Sequence, residues 1–354
     1  MSGKPRHRVT TALLTALTLS LVSCGHTQPT APGPSSQAPT QAVERCPLSS
    51  KLVPSCGALW GITTNTPTMA ALDAAERASG RRFDFVYRFH DINDVVPSSD
   101  DQQVVSDGRI LHLSIDARDY ADKKTISWAD IASGAYDDDL RRQALGVAAL
   151  KTPIFITFDH EADQPARLAQ GSGTNFVRAW LHVHDLFGEA GATNAVWVWV
   201  MMGTQPALPR VLELWPGNDY VDWISWDVYN PSGCRAGQID AAKYVSFEQS
   251  MKIFFDWVHA VGPKIGVDPN KPMMISEAGS VVYPDDVAKT AQWYAEIPSV
   301  LQRYPQIKAI GLWDHTGQRI CDYRFTGNST LEHAIAEAGK AQWVNARERA
   351  STPR

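Results

Sequence analysis

The sequence predicts an α/β fold, a single-domain (β/α)8 TIM barrel. Three observations carry that prediction. From about Cys56 onward, eight short apolar runs alternate with segments of helical periodicity; the polar residues crowd the ends of those runs; and no Gly-rich phosphate loop follows the first of them. A doubly wound sheet would announce itself at that loop, and the chain instead reads GITTNTPT there.

Taken in order, the first run is CGALWGI, followed by TMAALDAAERASG, a helical segment that stops at Gly80. FDFVYRFH and ILHLSIDA are the second and third strands, closing on His90 with Asp91 and on Asp116. The fourth, PIFITFDHE, ends in Asp159, His160 and Glu161. NFVRAWLHVHDLFGEAG then reads as a long helix ending at Gly191, ahead of the fifth strand, NAVWVWV. VDWISWDVYN is the sixth and PMMISEAG the seventh, the latter carrying Glu277. DDVAKTAQWYAEIPSVLQRY, acidic in its first turn, predicts one helix before the eighth strand, KAIGLWDH. In a parallel barrel all these strand ends meet on one face, where barrel enzymes place their sites.

The chain has 354 residues, of which 44% are hydrophobic and 20% charged, enough for a large core. A net charge of -5 with no Lys/Arg block speaks against nucleic acid as a partner. Residues 1–23 read as a lipoprotein signal peptide: Lys4, Arg6 and Arg8 precede an apolar stretch too short to span a bilayer, and Leu21-Val22-Ser23-Cys24 resembles a bacterial lipobox. Cys24 is the expected lipidation site, which would place an exported protein at the extracellular face of the cell membrane. Residues 24–44, rich in Pro, Ser and Thr, read as a flexible tether. Residues 45–348 are the expected catalytic domain, a monomer, and 349–354 a disordered tail. Cys46, Cys56, Cys234 and Cys321 are an even set in an exported chain, so disulfides are expected, with Cys46–Cys56 and Cys234–Cys321 favoured among the three connectivities.

Two carboxylates stand out, Glu161 at the end of the fourth strand and Glu277 at the end of the seventh. A pair so placed fits the acid/base and nucleophile of a retaining glycosidase, with carboxyl groups about 5 to 5.5 Å apart. Trp199, Trp313 and His90 are the candidate sugar-contacting residues, since pyranose C–H faces pack on aromatic rings. A metal hydrolase is the competing use of Asp159, His160, Glu161 and Asp163, but consecutive strand residues point to opposite sides, so the first three cannot face one ion without a bend. No G-x-S-x-G elbow supports a Ser-His-Asp hydrolase. The rival from another class is a carbohydrate-binding lipoprotein on a barrel without turnover.

FDHEAD, DYVDWISWDVYN, PMMISEAG and WADIASGAYDDDLRRQA resemble the matching segments of glycoside hydrolase family 26, the β-mannanases and related β-glycanases. The resemblance covers most of the chain from about Cys56 to Trp343. It implies a metal-free retaining (β/α)8 hydrolase of β-linked polysaccharide, β-mannan first, and no cofactor. Matched by motif, Glu161 is the acid/base, preceded by the family's His at His160; Glu277 is the nucleophile and Tyr229 the tyrosine that contacts it. Two departures fall in substrate-binding loops. Ala162 to Ala166 replace an Asn and a Trp-rich run, and Val200, Met201 and Met202 replace a Ser-Pro-Asn.

Overall fold

The structure, a computed structural model, describes residues 46–317 and 319–345. The signal peptide, Cys24, the tether and the C-terminal tail lie outside the described residues. Eight parallel strands close into a barrel: β1 (Leu59–Thr64), β2 (Phe85–Asp91), β3 (Ile110–Asp116), β4 (Ile154–Phe158), β5 (Ala195–Met201), β6 (Trp223–Asn230), β7 (Met273–Ser280) and β8 (Ile307–Asp314). β1 pairs with β8 from Leu59↔Ala309 to Thr64↔Asp314, which leaves no edge unpaired. Helices run between the strands, and a two-residue antiparallel ladder, Arg118–Asp119 with Lys124–Thr125, sits in the loop after β3. Among the described residues no helix is long and apolar enough to cross a membrane.

The helices begin and end where their sequences direct. Thr68 caps Met69–Ser79 by accepting the Ala71 N–H, and Gly80 closes that helix with φ 65°. Ser172 and Asn175 form a reciprocal capping box at the start of Gly173–Glu189. The single helix predicted between β7 and β8 is two, Val287–Ala295 and Ile297–Arg303. Pro298 breaks it, because a proline has no N–H for the carbonyl of Tyr294 and its ring crowds that carbonyl.

Two apolar layers follow from the strand alternation. Leu59, Phe85, Phe155, Trp223 and Met274 fill the barrel's interior with Leu52, which enters from the segment before β1. That segment is held by the Cys46–Cys56 disulfide and by Trp223, whose Nε1 donates to the Lys51 carbonyl at 2.8 Å. Between barrel and helices lies a larger core built on Trp60, Trp180, Trp199, Trp226 and Trp293, all fully buried. The Phe85 ring needs Gly61 opposite it, since a Cβ there would stand 2.3 Å from the ring. Gly61→Ala is expected to destabilise the barrel by about 1 to 3 kcal/mol through overpacking, read as a lowered Tm in thermal denaturation.

Candidate active site

The strand β4 ends at Phe158, and the chain then makes two left-handed residues, Asp159 and Glu161, each with φ 52°. Such backbone costs about 1 to 2 kcal/mol per non-glycine residue, and it breaks the alternation of a strand. Asp159 turns away from the cleft: Arg167 Nη1 at 2.6 Å, Trp128 Nε1 at 2.6 Å, Gln170 Nε2 at 2.9 Å and the Ala117 N–H at 3.2 Å all donate to its carboxylate. The Glu161 N–H donates to the Val200 carbonyl at 3.2 Å, tying the turn to the end of β5. His160 and Glu161 are thereby brought to the same cluster by a bend that strand alternation alone does not give. Asp159 is the anchor that holds it.

Glu277 reaches the cleft by a different device. On β7, Ile275 pairs with Trp226 and Glu277 with Asp227, so Ser276 is an extra residue against β6, and the register slips likewise against β8. Ser276 faces inward, its Oγ 2.5 Å from that of Ser225, while Ile275 lies in the outer core. Strict alternation would send Glu277 outward. The bulge turns it in.

The groups now meet around His160. Its Nδ1 lies 3.0 Å from the Tyr87 hydroxyl. Its Nε2 lies 3.1 Å from Asp227 Oδ2 and 3.3 Å from Glu277 Oε1, both ion-pair distances. Tyr229 donates to Glu277 Oε2 at 2.6 Å, and the Tyr323 ring packs on Tyr229 at 4.8 Å. Phe89 stands edge-on to His160 at 5.2 Å and to Trp313 at 6.1 Å. Glu161, Glu277, Tyr229, Trp313 and Tyr323 line a common cleft of about 340 Å³.

Electrostatics follow from that packing. Burial opposes charge on His160, but Tyr87, Asp227 and Glu277 outweigh it and hold its pKa well above the ordinary value. Burial, and then Glu277, push the Glu161 carboxyl up against the pull of His160. Burial and Glu277 push Asp227 well above the usual carboxylate range. Burial beside Glu277 keeps the Tyr229 phenol protonated as a donor. His160, Glu161 and Asp227 offer ligand atoms within 4.8 Å of one another, the composition of a metal site. Protonation of His160 competes with ligation there, since an imidazolium has no free lone pair.

Two of the expected sugar contacts are elsewhere. His90 faces outward, with Nε2 2.9 Å from Asp101 Oδ2 and Nδ1 3.3 Å from Asp94 Oδ2; the residue before it, Phe89, is the one that points in. Trp199 is fully buried in the outer core, its Nε1 donating to the Leu214 carbonyl at 2.9 Å and its ring against Trp215 and Phe254. His160, Tyr229 and Trp313 do come together with the two glutamates. Asp227, Tyr87 and Tyr323 are site residues that the sequence alone does not single out. Asp227 had one signal, a carboxylate inside the apolar run WISWDVYN.

The second disulfide, Cys234–Cys321, joins the loop after β6 to the loop after β8, across the end of β7. It packs with Tyr323, whose hydroxyl lies 3.7 Å from Cys234 Sγ. The cleft wall beside Glu277 is thus covalently pinned.

No protein-family model matches the chain. It is 26% identical over 290 residues to Endoglucanase H of Acetivibrio thermocellus, a match covering 77% of this chain and 29% of that protein. It is 24% identical over 130 residues to a β-1,3-xylanase of a Vibrio species, covering 36% of this chain and 28% of that protein. Each match thus spans less than a third of the curated relative's length. Among solved structures it is similar to a family 26 β-mannanase of Bacteroides ovatus, with TM-score 0.59, 14% identity and coverage of 84% of this chain and 94% of that one. It is also similar to the catalytic domain of a family 26 endo-β-1,4-mannanase of a Bacillus species, with TM-score 0.58, 14% identity and coverage of 82% and 88%. At that identity the likeness concerns the barrel fold.

Proposed function

We propose that the chain is a retaining glycoside hydrolase of the family 26 type that cleaves β-linked polysaccharide, β-mannan first and other β-glycans second. The observation that carries this reading is the pair Glu161 and Glu277 on one cleft, one in surroundings that raise its pKa and the other held by a phenol at 2.6 Å. Two carboxyl groups whose surroundings differ in this way divide into acid and nucleophile. The names of the relatives, an endoglucanase and a β-1,3-xylanase, and of the mannanase neighbours support the same reaction class.

In this mechanism Glu161 gives its proton to the glycosidic oxygen while Glu277 Oε1 or Oε2 attacks the anomeric carbon. The C–O bond to the leaving sugar breaks with its electron pair on the departing oxygen, and a glycosyl ester forms on Glu277. Glu161, now a carboxylate, takes a proton from water, and that water displaces Glu277 with net retention. His160 stays charged between Asp227 and Glu277, holding both carboxyl groups in place. Trp313 and Tyr323 offer ring faces to the sugar.

The acid must be protonated to act, so activity persists up to the raised pKa of Glu161 and is lost as pH climbs through it. Glu277→Gln removes one of the charges that raise it. Glu161 is therefore expected to titrate at lower pH in that variant than in the wild type, as followed by carbon NMR of labelled Glu; an unchanged or higher titration contradicts the coupling.

The reaction class is tested by incubating the domain from Cys46 onward with mannans, β-glucans and xylans and following reducing ends. Release from β-mannan or another of these β-glycans is expected. A blank across the panel with sugar binding intact would move the assignment to a carbohydrate-binding protein. We further propose that Cys24 carries a lipid and places the domain at the outer face of the cell membrane, which metabolic labelling with a fatty-acid analogue in wild type and Cys24→Ala tests.

A further inference from the structure

The turn that delivers Glu161 is closed by a buried cation that the double displacement itself does not use. Arg167 is 3% exposed and sits on the 3-10 segment Pro165–Gln170, directly after the stretch Ala162 to Ala166 that departs from the family 26 pattern. Pro165 opens that segment with a fixed φ, and the Arg167 N–H donates to the Gln164 carbonyl at 2.9 Å. The side chain reaches back along the chain. Its Nη1 donates to Asp159 Oδ1 at 2.6 Å and its Nη2 to the His160 carbonyl at 2.8 Å, while Nη2 also lies 3.5 Å from Asp116 Oδ2 at the end of β3. We propose that Arg167 is a positioning residue for the acid/base, a clamp that holds Glu161 in the cleft by fixing the two residues before it.

The inference rests on the glycosidase reading and extends it to what aims the acid. Asp159 and Glu161 both hold φ 52°, backbone that surrounding contacts must impose on residues other than glycine. The Asp159 N–H donates to the Ile115 carbonyl at 2.9 Å and the Gln164 N–H to the Glu161 carbonyl at 2.9 Å, which ties the two ends of the turn. Its middle is tied by Arg167. His160 lies beyond the last residue of β4, and among the described residues Arg167 is the donor to its carbonyl. Two donors on one planar guanidinium fix an orientation as well as a distance, which a point charge does not.

A buried arginine between two carboxylates also serves packing alone, and what separates the two roles is where its bonds go. Arg167 lies outside the cleft lining, which on this side is Gln164, Pro165 and Ala166, so it acts on the reaction only through the turn. The nucleophile is held independently of it. Tyr229 donates to Glu277 at 2.6 Å, and the His160 ring is held by Tyr87 at 3.0 Å and by Asp227 at 3.1 Å. Loosening the clamp therefore displaces the acid and leaves the attacking carboxylate in place.

The test compares wild type, Arg167→Lys and Asp159→Asn on β-mannan and on an aryl β-mannobioside with a good leaving group, with the matching β-glucan and xylan pairs as further arms. Arg167→Lys keeps a cation facing Asp159 and Asp116 but gathers its donors on one atom. It is expected to lose about a hundredfold in kcat on the polysaccharide at nearly unchanged KM, while phenol release in the first turnover of the aryl glycoside, which needs no acid, changes by less than about threefold. Azide is expected to speed steady-state turnover of the aryl glycoside in this variant and to give a glycosyl azide of retained configuration, because the group that activates water is the one displaced. Asp159→Asn alters the other end of the same bond and leaves Arg167 facing Asp116, so it carries the test, with the same pattern expected, if the lysine lowers Tm enough to disturb the fold. Equal losses on both substrates, unchanged hydrolysis of the polysaccharide, or no effect of azide overturn the clamp and leave the glycosidase reading standing. No turnover of any of these substrates by the wild type overturns both.

Discussion

Glu277→Ala is expected to lower kcat on β-mannan by about four orders of magnitude, ~5 kcal/mol of lost transition-state stabilisation, with the barrel still folded by circular dichroism. The size follows from chemistry, since without this carboxylate no glycosyl ester forms and the double displacement has no first step. Glu277→Gln keeps the shape and a partner for the Tyr229 hydroxyl, so it separates loss of the nucleophile from loss of packing. Added azide is expected to occupy the space of the removed carboxylate in Glu277→Ala. It restores turnover of activated aryl glycosides, with the product inverted at the anomeric carbon. Product formation by Glu277→Ala at the wild-type rate without azide would end the mechanism.

Glu161→Ala is expected to act unequally on substrates. Polysaccharide, whose leaving oxygen needs a proton, slows by about a thousandfold, within the range of a general acid. An aryl glycoside with a good leaving group still forms the glycosyl-enzyme and stalls at its hydrolysis, where the base is missing. Azide, which needs no base, releases it as a glycosyl azide of retained configuration. The two variants therefore give azides of opposite configuration, a result that a merely structural role for either residue does not produce. The basic limb of the pH profile for aryl glycoside disappears in Glu161→Ala, because the group whose deprotonation set it is gone. Equal loss on both substrates contradicts the acid role.

How far the sequence reveals this arrangement depends on which physical signal each part leaves. The barrel is legible because parallel strands buried on both faces are continuous apolar runs, and all eight lie where such runs occur. That same double burial hides which residues point in. Nearness to strand ends suggests His90 and Trp199 as cleft residues, yet their side chains face the helices, and the inward positions belong to neighbours such as Phe89. Glu161 and Glu277 were legible as carboxylates after apolar runs, but the devices that aim them were not. A left-handed turn at Asp159 and Glu161 has no glycine or asparagine to mark it, and the bulge at Ser276 exists only in the pairing of β7 with β6 and β8. Asp227 is the clearest loss, because one carboxylate in a strand that is otherwise core reads as an exception and becomes a site only when β6 sets it opposite Glu277. Tyr323 belongs to no strand, and only the structure of the pinned loop brings it to Tyr229.

Trapping the glycosyl-enzyme identifies the nucleophile by its covalent bond. A 2-deoxy-2-fluoro β-glycoside with an activated leaving group slows hydrolysis of the glycosyl-enzyme more than its formation, and intact-mass and peptide mapping then locate the sugar. One fluoroglycosyl unit per chain is expected, attached to the peptide that contains Glu277 and absent from Glu277→Gln. A label on another residue, or turnover that releases the inverted sugar with no covalent adduct, would contradict it.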